Sequence, residues 1–166
     1  MTPWPAEAEA RAAALLDLCR ARGLKIATAE SCTGGLLAGL LTAIAGSSDV
    51  VERGFVTYSN AAKAEMLGVE PRLIAARGAV SAEVARAMAE GALLNGRADV
   101  AVAVTGIAGP SGGSAEKPVG LVHFACARLS HDTLLRQCRF GDVGREGVRA
   151  AAVLVALELL EAQARA

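Results

Sequence analysis

Ser31, Cys32, Thr33, Gly34 and Gly35 stand in a row between a β-type run, Leu24 to Ala29, and a helix-compatible apolar run, Leu36 to Ala45. Strand, tight turn and helix is the expected local structure. In that geometry the Ser31 hydroxyl sits at the carboxyl end of a strand, and the amides of Cys32 to Gly35 face outward at a helix N-terminus. A nucleophile and an anion site would then share one turn. The plain alternative is that Ser31 or Thr33 caps the helix and the glycines let it pack closely on the sheet. Cys32 is a second possible nucleophile, disfavoured because its side chain should point away from that of Ser31.

A serine nucleophile needs a base, and the sequence offers few. His123 falls inside a predicted strand and His131 in a hairpin turn, whereas Lys63 falls in the first turn of a helix that begins just after the second strand. A helix N-terminus and partial burial both disfavour an ammonium, so both lower the pKa of Lys63 toward a value useful for a general base. Tyr58, five residues earlier, is placed to hydrogen-bond Ser31 or relay a proton. An ordinary solvated lysine and an edge-of-core tyrosine are the plain alternatives for these two. Arg145 and Arg149 lie one helical turn apart, so both can reach an anion or form exposed ion pairs with neighbours such as Glu146.

The elements that must position these groups follow from the rest of the chain. Its 166 residues, 53% apolar and 20% charged, suit one α/β domain over residues 1–166 with a sizeable core. Helical spacing of Ala8, Ala12, Leu15 and Cys19 predicts a first helix ending at Gly23. Gly54 to Tyr58 reads as the second strand, Ser59 or Asn60 to Leu67 as a helix, and Pro71 to Gly78 as a connector. Ser81 to Asn95 reads as another helix. Asp99 to Thr105 is valine and alanine without charge after its first residue, as expected of a strand covered on both faces at the sheet's centre. Val119 to Ala127 and Thr133 to Phe140 predict an antiparallel hairpin. Arg145 to Ala166 closes the chain as a helix burying Val148, Ala151, Ala152, Val155 and Leu159.

Between the central strand and the hairpin, Gly106 to Pro118 holds four glycines and two prolines in thirteen residues. A ligand loop at a strand's carboxyl end is the functional reading and a flexible connector the plain one. It is no Walker loop, because no Lys-Ser or Lys-Thr follows its glycines. Seventeen basic and seventeen acidic residues cancel, and one Trp, one Tyr and three Phe leave little for bases to stack on. Neither nucleic acid nor a membrane surface is therefore an expected partner. The uncharged run Gly34 to Gly46 is thirteen residues, short of the roughly 20 that span a bilayer. No secretion signal opens the sequence, and four widely spaced cysteines suit reduced thiols in a cytoplasm. Two histidines without a nearby C-x-x-C predict no metal.

Several strings together carry a resemblance: T-A-E-S-C-T-G-G (Thr28 to Gly35), A-G-S-S (Ala45 to Ser48), E-R-G-F-V-T-Y-S-N (Glu52 to Asn60) with Lys63, G-A-V-S (Gly78 to Ser81), and T-G-I-A-G-P-S-G-G-S with E-K-P-V-G (Thr105 to Gly120). In this order, nearly end to end, they resemble the CinA C-terminal domain family, the nicotinamide-nucleotide amidohydrolases. The resemblance implies a three-layer α/β/α sandwich around a mixed, mostly parallel sheet. It implies hydrolysis of nicotinamide mononucleotide to nicotinic acid mononucleotide and ammonia, in pyridine nucleotide salvage. It also implies a Ser31 and Lys63 pair assisted by Tyr58, no cofactor, and a homo-oligomer of two or more chains. One departure is visible: Gly141-Asp142-Val143-Gly144-Arg145 is longer than the family's usual Gly-Asp-Arg, which loosens the match at Arg145.

Residue chemistry and resemblance then give one expected mechanism. Neutral Lys63 takes the Ser31 proton, the oxygen attacks the carboxamide, and amides around Thr33 to Gly35 hold the oxyanion. Substrate contacts are expected from Cys32, Thr33, Gly34 and Gly35 in the turn, and from Thr105, Gly106, Gly109, Ser111, Gly112 and Gly113 in the loop. The loop and Arg145 would hold the phosphate without a metal. A serine hydrolase of another small amide or ester, and a nucleotide sensor without catalysis, remain alternatives.

Overall fold

The computed structural model describes residues 2–166. Within them the chain runs α1 (Ala8–Arg22), β1 (Ile26–Glu30), α2 (Leu36–Ala43), a 3-10 turn at Ser47–Asp49, β2 (Val51–Val56), α3 (Asn60–Leu67), α4 (Pro71–Arg77), α5 (Ala82–Asn95), β3 (Val100–Gly106), β4 (Leu121–Arg128), β5 (Leu134–Arg139) and α6 (Gly144–Arg165). The strands form one sheet in the order β2-β1-β3-β4-β5. β1 pairs in parallel with β2 and β3, while β4 is antiparallel to both β3 and β5. β4 alone therefore opposes the others, which makes the sheet mixed and mostly parallel, with helices on both faces as expected.

Alternation along the buried strands explains the two layers of core. Ile26, Val100, Val102, Val104, Val122 and Phe124 point to one face, where α1, α2 and α6 cover them. Ala27, Ala29, Ala101, Ala103, Ala125 and Ala127 point to the other, against Ala85, Met88, Ala89 and Ala92 of α5. Alanine on alanine lets α5 sit close to the sheet. The same alternation sends Glu30 toward α2, where its carboxylate accepts from the Leu37 and Ala38 amides. It sends Ser31, next in line, to the face of α3 and α5.

The strand order reverses beside β1: the chain steps out to β2 through α2 on one face, then returns to β3 through α3, α4 and α5 on the other. Crevices at the carboxyl ends of strands at such a switch point are the usual ligand sites of open α/β sheets. The Ser31 turn follows β1 and the glycine-rich loop follows β3, so both open at that point. Pro71 to Gly78 corrects the expectation of a connector, since most of it is α4, with Pro71 at its first position. A seven-residue helix has too few turns to show periodicity, and the proline that reads as a breaker is favourable at a helix start. β2 also begins and ends earlier than expected, because its pairing with β1 starts at Val51 opposite Ile26.

Candidate active site

Ser31 and Lys63, thirty-two positions apart, meet across the sheet end with Lys63 Nζ 3.0 Å from Ser31 Oγ. The same nitrogen lies 2.8 Å from the Thr57 carbonyl and 3.3 Å from that of Tyr58. A neutral amine has two N–H donors and one lone pair. The two carbonyls take the donors, which leaves the lone pair for the Ser31 hydroxyl proton. Lys63 is 1% exposed and Ser31 8%. Among the described residues no carboxylate lies within ion-pair distance of Lys63. Burial therefore pushes the Lys63 pKa below its ordinary 10.5, toward the neutral form a base requires.

Two local features place Lys63 there. Ser59 caps α3 by accepting from the Ala62 amide at 3.0 Å, which fixes where the helix starts and puts Lys63 one turn in. Gly91 on α5 lets α3 approach closely, because a side chain there would run into the Leu67 carbonyl.

The Ser31 turn differs from its expected form in one respect. Glu30, fully buried, already fills the N-terminus of α2, with its oxygens 2.8 Å and 3.1 Å from the Leu37 and Ala38 amides. The positive end of that helix is thus occupied by the chain's own carboxylate and is not an open anion site. The Gly34 amide is also spent, donating to the Ser31 carbonyl at 3.0 Å. Among the described residues the amides of Cys32, Thr33 and Gly35 have no acceptor, and Cys32 borders the cavity. The Cys32 thiol is pushed up to about 11, chiefly by burial, so it stays protonated near neutrality and is a poor nucleophile.

A cavity of about 240 Å3 gathers Ser31, Cys32, Tyr58, Lys63, Thr105, Gly106 and Arg145 from the expected set. Asn60, Ala79, Val80 and Ala108 complete its lining; the sequence marks Asn60 only as a possible helix start and gives none of the four a role in the site. Asn60 stood in the T-Y-S-N string and Ala79 and Val80 in G-A-V-S, so the signal was present in the motifs. Thr105 Oγ1 ties that wall down by donating to the Ala79 carbonyl at 2.9 Å. Thr33, Gly34, Gly35, Gly109, Ser111, Gly112 and Gly113 lie outside the lining.

Arg145 donates to the Gly109 carbonyl and to the Tyr58 hydroxyl, each at 2.9 Å, and so joins α6, the glycine-rich loop and the approach to α3 at the cavity mouth. The expected bond from Tyr58 to Ser31 is not made. The Tyr58 ring is 61% exposed and its hydroxyl faces Arg145, while its backbone carbonyl is what serves Lys63. Arg149 turns the other way, onto the Cys32 and Thr33 carbonyls at 3.2 Å each. Neither histidine borders the cavity: His123 lies in β4 opposite Thr105, and His131 Nδ1 is 2.9 Å from the Leu129 carbonyl in the hairpin. Among the described residues no cluster of three His, Cys, Asp or Glu is arranged for a metal, and no helix is long and apolar enough to cross a membrane.

The family model for the CinA C-terminal domain matches residues 8–164. The chain belongs to that family. It is 54% identical to the nicotinamide-nucleotide amidohydrolase PncC of Escherichia coli K12 over 142 residues, 85% of each chain. It is equally similar, 54% over 141 residues, to a CinA-like protein of Syntrophobacter fumaroxidans, but there it spans only 33% of the relative's length. The crystal structure of the competence/damage-inducible protein CihA of Agrobacterium tumefaciens superposes with a TM-score of 0.95 at 54% identity, covering 98% of both chains. A Klebsiella pneumoniae protein described as competence damage-inducible protein A follows at 0.89 and 37% identity. In this CinA C-terminal domain the longer segment Gly141 to Arg145 does not carry Arg145 away, since its guanidinium still borders the cavity.

Proposed function

We propose that this chain hydrolyses the carboxamide of nicotinamide mononucleotide to nicotinic acid mononucleotide and ammonia, with Ser31 as nucleophile and Lys63 as general base. The observation that carries the reading is the buried lysine amine 3.0 Å from a serine hydroxyl, with no carboxylate within ion-pair distance among the described residues. It stands in a chain 54% identical to a protein named nicotinamide-nucleotide amidohydrolase.

Lys63 accepts the Ser31 proton as the oxygen attacks the carboxamide carbon. The negative oxygen that forms is stabilised by the free amide of Cys32, which borders the cavity, joined by that of Thr33 one residue deeper in the turn, a well-aimed donor being worth about 3 kcal/mol. The resulting ammonium of Lys63, held by the Thr57 and Tyr58 carbonyls, returns its proton to the departing nitrogen, and ammonia leaves. Water then attacks the acyl-serine with Lys63 again as base, releasing the acid and restoring the serine. Arg145 holds the nucleotide's phosphate at the mouth, beside the glycine-rich loop. The product serves pyridine nucleotide salvage in the cytoplasm, and the working form is a homo-oligomer, which light scattering on the purified protein tests.

Ammonia release from nicotinamide mononucleotide, its riboside, free nicotinamide and unrelated amides tests the substrate. Preference for the nucleotide supports the proposal. Faster release from an unrelated amide would overturn the substrate, and no release with retained nucleotide binding would point to a sensor.

A further inference from the structure

We propose that Arg149 is a positioning residue that sets the oxyanion-binding amides of the Ser31 turn; this rests on Ser31 being the nucleophile. The peptide links after Ser31, Cys32 and Thr33 form the turn that carries the attacking oxygen, with Ser31 and Cys32 on the cavity lining and Thr33 buried just behind it, and all three of their carbonyls are tied down. Ser31 O accepts from the Gly34 amide at 3.0 Å, and Thr33 O accepts from the Leu36 amide at 3.0 Å. Arg149 supplies the remaining bonds, from Nε to Cys32 O and from Nη2 to Thr33 O, each 3.2 Å. In a trans peptide the N–H points opposite to the C=O of the same link. Fixing Cys32 O from the α6 side therefore fixes the Thr33 N–H in the reverse direction, just as fixing Ser31 O sets the Cys32 N–H. These two amides are without acceptors among the described residues.

Charge adds to aim. A cationic donor on the Cys32 carbonyl polarises that peptide and strengthens its N–H as a donor. Among the described residues Arg149 has no carboxylate within ion-pair distance, so its charge is not cancelled by a partner. The turn is shaped to admit it: Gly34 has φ +57, and a Cβ there would lie 3.4 Å from Arg149 Nη2. Arg149 does not border the substrate cavity, but lines a separate one with Trp4 and Glu146, so it orients the turn from behind without touching substrate.

The test uses Arg149→Lys, which can reach one carbonyl, and Arg149→Met, which reaches neither. Two substrates are compared: p-nitrophenyl acetate, whose burst reports acylation of Ser31 whatever the natural substrate is, and nicotinamide mononucleotide. Melting temperature and nucleotide affinity are measured alongside. The expected result is graded, with burst rate and kcat falling about tenfold or more in the methionine variant and less in the lysine variant. KM stays within about threefold in both. A purely structural role predicts lower melting temperatures with parental burst rate in the folded enzyme, and that result would overturn the proposal. Absence of any Ser31-dependent burst in the parent would remove both the nucleophile and the role of Arg149. A burst that depends on Arg149, in an enzyme that leaves the nucleotide untouched, would sustain this inference while ending the substrate assignment.

Discussion

Replacing Lys63 by methionine distinguishes a buried neutral base from an ordinary cation, because the two leave different marks on stability as pH changes. Burial holds the Lys63 pKa below 10.5 in the folded chain, whereas the unfolded chain keeps the ordinary value. Between the two values the unfolded state binds a proton that the folded state lacks, so parent stability rises with pH across that window. Below the folded value the desolvation cost of the ammonium is complete and constant. The slope approaches about 1.4 kcal/mol per pH unit where Lys63 is neutral when folded and charged when unfolded. The methionine variant has no such slope. It loses instead the bonds to the Thr57 and Tyr58 carbonyls, at about 1–3 kcal/mol for a stranded buried acceptor, whatever the pH. The stability of the parent minus that of the variant should therefore grow with pH, as read by urea unfolding at about pH 7 and about pH 9.5. A difference that is constant, or that shrinks as pH rises, would show Lys63 charged in the fold and remove it as the base. The same variant should lose about 10²–10⁴ of turnover, the usual contribution of a general base.

Ser31→Ala should abolish turnover while leaving fold and nucleotide binding intact. Ammonia release at a tenth of the parental rate or more, about 1.4 kcal/mol of barrier, would exclude the hydroxyl as nucleophile. The rate of the parent should rise with pH through the lowered pKa of Lys63 and then level off. Lys63→Arg should be nearly as inactive as the methionine variant, since a guanidinium stays protonated, and near-parental turnover by a folded arginine variant would mark Lys63 as a mere cation. Arg145→Ala should raise KM for nicotinamide mononucleotide far more than for its riboside, and equal losses on both would take Arg145 out of the phosphate site.

How much of this was legible in the sequence depended on whether an element's signal was local. The uncharged valine and alanine run at Val100 to Thr105 marked the sheet's centre because burial on both faces writes itself into composition. The pairing of Ser31 with Lys63 was within reach because few bases were available and each sat on a recognisable element. Arg145 and Arg149 could not be separated, since one helical turn puts both on the same face. Only the packed structure shows Arg145 at the cavity and Arg149 on the turn's carbonyls. Glu30 was missed for a related reason: a glutamate ending a strand reads as a solvated charge until the helix that covers it is in place. Its carboxylate decides what the turn can do. With the N-terminus of α2 filled from within, the free donors left beside the Ser31 hydroxyl are peptide amides fixed from behind by Arg149. The turn is then suited to a charge that forms transiently on a reacting oxygen. Arg145, the guanidinium that borders the cavity, stands apart from that turn, which fits the proposed division of a transient charge at the turn and a permanent phosphate beside Arg145 and the glycine-rich loop.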